Sequence, residues 1–271
     1  MHSAAHASTG MSLALFLLPA VVFLLYMRAA TQAHPQRAPW NHLRSASFGL
    51  GVALLAAAIA PPVAHHAHHS LEGHMLQHLL LGMFAPLFLV LGAPGTLLLR
   101  TVPVAVARKL VALLDTRAIR FLIHPLTALV LDMGGMALLY LTPLYALSTR
   151  EAALHVFIHV HFLVSGILFT WAVAGPDPAP RRPGRSVRLL ALFLGTAVHA
   201  VLSKWMYAYG YPRGTQHSIE DIQAAAKLMY YGGDLAELLL IIALFQAWQR
   251  ARSRHSTPTG TALPGELAPK H

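Results

Sequence analysis

The sequence predicts an all-α protein that crosses a membrane as a bundle of seven helices, N-terminus outside and C-terminus in the cytoplasm. Three observations predict it. Of the 271 residues, 56% are hydrophobic and 11% charged, whereas a water-facing surface needs about a quarter or more of charged residues. Apolar runs of bilayer-crossing length recur between short polar segments. Lys and Arg number 16 in the first, third and fifth loops and the tail, against 4 in the N-terminus and the other loops. That split puts the basic side in the cytoplasm. Residues 1–248 form the helical domain and 249–271 a basic tail, then rich in Ser, Thr and Pro and expected to be disordered. No repeat or second domain is evident.

In order, Met1–Gly10 is polar and lacks the basic start of a signal peptide, so Met11–Met27 reads as a retained first span. Arg28–Arg44 is a polar loop. Ser45–Ala64 is the second span, ended by Pro61-Pro62, and the HHAHHSLEGH stretch after it is expected as a loop. The third span runs from Glu72 to about Leu99 with Pro86 inside. Arg100–Arg120 holds five basic residues and a short surface helix. Phe121–Leu147 contains span four, Ser148–Glu151 a turn, and Ala152–Ala174 span five. A Pro/Arg-rich loop leads to span six, Val187–Tyr207. Tyr209–Ala225 is a polar loop, and Ala226–Trp248 is span seven.

The net charge of +10 does not indicate nucleic acid, because the basic residues sit in short loops where they meet lipid headgroups. With no cysteine, thiolate sites, disulfides and iron–sulfur clusters are excluded. Histidine is the anomaly: 18 against 10 acids, beside nine methionines. Such a chain suits copper. Thirteen histidines fall on the outer side or in outer halves of spans. The inner side takes His34, His42, His124, His255 and His271.

Depth singles out particular rings. At 1.5 Å per residue, His78, His161 and His199 lie roughly 9–14 Å below the outer ends of spans three, five and six. His74 stands one turn above His78. His155 and His159 share a face of span five, with His161 nearly opposite His159. Imidazoles converging from several helices are how bundle cores hold metal or haem. The candidate metal ligands are therefore His74, His78, His155, His159, His161 and His199. The HHAHH tract reads as low-complexity sequence or loose metal capture. Met75, Met83, Met133, Met136, Met206 and Met229 read as packing. Asp132, Asp234 and Glu237 must be neutral, paired or cation-bound inside a membrane, with Lys204 and Lys227 as expected partners. His124, before Pro125, reads as a helix start.

Four motifs carry a resemblance: HMLQHLLLGMFAPLFLVLGAP, HPLTALVL, HVHFLVSGILF and the histidine of TAVHAVL. In this order they are similar to the CtaG family of membrane assembly factors for caa-type cytochrome c oxidases. The resemblance covers spans three to seven. It implies a non-enzymatic, seven-span protein of the bacterial cell membrane, with subunits of a haem–copper oxidase as partners and copper delivery as its step. The family's polar positions fall on His74, His78, His124, His161 and His199, and less closely on His155 and His159. YYGGDLAELLL departs from the family pattern by carrying Asp234 and Glu237. Other chemistries remain open: a zinc-dependent lipid hydrolase with Asp132 as base, a haem-binding electron carrier, and a transporter, for which no inverted repeat is visible.

Overall fold

Prolines and caps decide where the apolar runs break. The computed structural model of the chain describes residues 2–32 and 39–255, with side chains at 17–32, 39–249 and 252. Helix α1 (His2–Thr31) leads to α2 (His42–Ile59), whose first turn is capped by Asn41. Pro61 and Pro62 stop α2. They also start α3 (Pro61–His69), since the first helical positions have no use for an N–H. The HHAHH tract, expected as a loop, is therefore helical. Ser70 closes α3 and caps α4 (Leu71–Leu79), its Oγ accepting from the Gly73 amide at 2.9 Å.

A π turn, Leu80–Phe84, joins α4 to α5 (Ala85–Leu91). Pro86 cannot donate to the preceding turn, and the wider winding just before it absorbs the misfit without breaking the rod. Short helices α6 (Pro94–Thr101), α7 (Val104–Leu114) and α8 (Arg117–Leu122) follow, so the stretch expected to hold one surface helix holds two. Then come α9 (Pro125–Leu141), α10 (Leu144–Ser148), α11 (Ala152–Ala174), α12 (Arg185–Tyr209) and α13 (Ile219–His255). Helix α13 begins seven residues before the expected Ala226 and continues past Gln249. The rest of the expected tail, 256–271, lies outside the described residues.

Of the described residues 83% are helical and none lies in a strand. Among the described residues five helices are long and apolar enough to cross a membrane: α2, the Leu71–Leu91 rod, α11, α12 and α13. The first and fourth expected spans fall on shorter apolar helices, Leu17–Thr31 within α1 and α9. The Leu71–Leu91 rod has the largest buried share of the five. Helix α13 lies along α4 and α12, α2 along α5, and α11 along α9, α5 and the π turn. Val130, Phe157, Phe193, Val201, Leu235 and Ile242 face outward, while His74, Gln77, His78, Asp132, His199 and Glu237 are buried. Large apolar side chains outside and polar ones kept within is the arrangement lipid selects. Gly166 permits a close approach of two backbones: any Cβ there would collide with the Gly82 carbonyl of the π turn.

Candidate metal-handling site

At one end of the rod a carboxylate in the first turn of α13 fixes the start of α4. Asp221 accepts from the Leu71 amide at 2.8 Å and the Glu72 amide at 3.2 Å, answering the unpaired N–H groups of a helix start. Its Oδ2 also lies 2.9 Å from His217 Nδ1. Because a carboxylate only accepts, Nδ1 carries the proton, and in the neutral ring His217 Nε2 accepts from the Tyr145 hydroxyl at 3.2 Å. Burial and the Asp221 charge hold the Tyr145 phenol above its ordinary pKa, so it stays a donor. Tyr145 stands edge-on to the next ring inward, His74, at 4.9 Å between centroids.

From His74 the imidazoles form a connected group. His74 lies 6.2 Å from His155 and 5.8 Å from His159, and those two are 4.2 Å apart. The helix explains the last distance: four residues bring two rings onto one face. His159 is fully engaged, its Nδ1 against the His155 carbonyl at 2.8 Å and its Nε2 against Gln77 Oε1 at 3.0 Å. Gln77 in turn donates to the Ala58 carbonyl, tying α2, α4 and α11 together.

One turn deeper, His78 is wedged between Phe162 and Tyr140, at 4.4 and 6.1 Å. Neither of its ring nitrogens has a hydrogen-bond partner within the protein, and the same holds for both nitrogens of His199 and for Glu237 Oε2. His199 is completely buried. Its Nδ1 stands 3.7 Å from Glu237 Oε1, too far for a hydrogen bond. His159 and His199 are within electrostatic reach of His78. Leaving a buried donor or acceptor unpartnered costs about 1–3 kcal/mol. Five such atoms on three neighbouring helices are the strongest sign of a ligand in this chain. As the side chains lie, no three His, Cys, Asp or Glu among the described residues stand close enough to hold a metal together.

His161 stands apart from this group. Its Nε2 lies 3.0 Å from the Leu131 carbonyl and its ring rests on Gly135 of α9, so it does not converge with His78 and His199. His124 caps α9, accepting from the Leu126 amide at 3.3 Å, as a helix-start residue would. Asp132 accepts from Ser165 Oγ at 2.9 Å. The lysine partners expected for the late acids are otherwise engaged: Lys204 lies over Tyr230 and Lys227 over Tyr207. Glu237 faces His199 instead, and the sequence reading missed this pairing. Its signal was the Gly-Gly of YYGGD, which brings α13 against both neighbours: Gly232 meets Leu79, and Gly233 meets the His199 ring. Met75, Met133, Met136, Met206 and Met229 are packed in the core, Met75 also accepting from the Tyr140 hydroxyl.

All of these residues lie within one matched region. A family model described as cytochrome c oxidase caa3 assembly factor, CtaG, matches residues 21–251. The chain belongs to this CtaG family. Two uncharacterized proteins, from Mycobacterium bovis and Mycobacterium tuberculosis, are each 37% identical over 199 residues, covering 67% of this chain and 30% of theirs. A third, from Mycobacterium leprae, is 31% identical over the same length. The matched part is thus under a third of those relatives' length. No solved structure matches the chain.

Proposed function

We propose that this CtaG-family protein serves the maturation of a haem–copper cytochrome c oxidase by taking copper at the outer face of a bacterial cell membrane. It hands the ion to an oxidase subunit docked beside it. In this reading α1 and α9 complete a set of seven spans, the basic loops face the cytoplasm, and the histidine group opens outward. Copper is cargo, and the protein is not an enzyme.

The observation that supports copper is the set of unpartnered nitrogens on His78 and His199. Imidazole is a good ligand for copper, and a site without thiolate releases the ion more readily than a cysteine cage. His74 and His155 supply further nitrogens above them, whereas His159, bonded through both ring nitrogens, and His161, bonded to α9, stand outside the ligand set. Glu237, beside His199, offers a negative charge that offsets the cation in a low-dielectric interior. Transfer then needs only ligand exchange: an incoming side chain of the oxidase displaces one imidazole, then the other.

Deleting the gene and restoring it with wild type, His78→Ala or His199→Ala tests this in the native membrane. The haem–copper centre of the oxidase, read by its optical spectrum, should be lost on deletion, return with wild type and fail to return with either variant. A deletion strain with a normal oxidase spectrum would remove the assembly role. Full rescue by both variants would remove the histidines from it.

A further inference from the structure

We propose that His68 and His155 form an outer station for the same ion, through which it reaches His74 and His78. The proposal rests on the copper reading above. It begins with the helicity of the HHAHH tract. Helix α3 is docked tightly, since a Cβ added at Gly73 of α4 would sit 2.5 Å from the His66 carbonyl. That docking turns His68 toward α11, where its ring lies stacked 5.4 Å from His155. The neighbouring pair behaves differently: His65 and His69 stack on each other at 4.2 Å, and His69 Nδ1 lies 2.8 Å from the His65 carbonyl.

Burial then rises steadily along the file. His68 is exposed, His155 and His159 are half-buried, and His74 and His78 are buried. With metal–nitrogen bonds of about 2.0 Å, two imidazoles sharing an ion lie roughly 6 Å apart between centres. Successive rings from His68 to His74 are 4.2 to 6.2 Å apart. A two-coordinate Cu(I) therefore passes inward by exchanging one ring for the next, with small rotations and no helix movement. Among the described residues His68 is the one member of its tract whose ring meets a ring of another helix.

Stopped-flow uptake of Cu(I) from a coloured chelator by the purified full chain tests this. His68→Ala should load at least tenfold more slowly than wild type yet reach the same final copper content, and His155→Gln should load as slowly. His65→Ala, which removes a histidine of the same tract outside the file, should load like wild type. Normal uptake by His68→Ala, or equal slowing by His65→Ala, would overturn the station while leaving the buried site standing. A wild-type chain that takes up no Cu(I) at all would overturn both. His68 is exposed, so its loss does not endanger folding, and circular dichroism of His155→Gln checks that variant.

Discussion

Gly233 illustrates how much of the site depends on single residues. A methyl group there would meet the His199 ring, so Gly233→Ala must push the ring or the helix aside. Overpacking of this kind costs about 1–3 kcal/mol, and the melting temperature in detergent should fall accordingly. Gly134→Ala is the matched control, because only Val130 Cγ1 lies near, at 4.0 Å. There the better helix propensity of alanine should raise stability by up to about 1 kcal/mol. Equal melting temperatures for the two variants would mean that the Gly233–His199 contact is not close. At this scale the sequence was a partial guide. An imidazole in an apolar run is conspicuous, which made His74, His78 and His199 legible. Depth alone points Glu237 toward lysines, and it does not reveal that tyrosine rings already cover Lys204 and Lys227. His161 was misleading for a related reason: depth says how far in a ring lies, not which neighbour it faces.

Two carboxylates, one in the first turn of α13 and one in the loop after α11, set the helices around the rod. Asp221 holds α4, and Asp177 holds α6 by accepting from the Gly95 and Thr96 amides and from Thr96 Oγ. Replacing Asp221 with alanine frees two amides of α4 and leaves His217 without its carboxylate. A helix cap is worth about 1–2 kcal/mol, so Asp221→Ala should lower thermal stability by that order and loosen the ring contacts of Tyr145 with His74. Hydrogen exchange at Leu71 and Glu72 reads the loss directly, and unchanged protection there would show that the cap does not hold α4. Gly166→Ala should cost more than Gly233→Ala, because it meets a backbone carbonyl rather than a side chain that can turn. Span positions were legible from hydropathy, whereas the boundaries were not. The Pro61-Pro62 pair reads as a stop, yet the same chemistry that ends one helix begins the next, and the helicity of the HHAHH tract follows from that.

For the molecule as a whole, charge asymmetry carries the orientation. The chain has no cysteine, so single cysteines introduced at His66 on α3 and Lys109 on α7 report sidedness without background. A membrane-impermeant maleimide should label His66→Cys in intact cells and Lys109→Cys only after permeabilisation. The opposite pattern would invert the bundle and place the histidine group on the cytoplasmic side, where delivery to an external copper centre makes no sense. The all-helical, membrane-crossing character was legible as composition and periodicity, and five of the seven expected spans fall on helices long and apolar enough to cross a bilayer among the described residues. What composition cannot supply is the convergence of α4, α12 and α13, which depends on glycines allowing backbones to approach.

Copper content after Cu(I) loading and desalting of the purified full chain tests the central claim most directly, with His78→Ala, His199→Ala and His161→Ala compared. The account predicts that wild type and His161→Ala retain the ion, and that loss of His78 or His199 weakens retention at least tenfold. Negligible copper in every sample, or equal copper in all four, would contradict it.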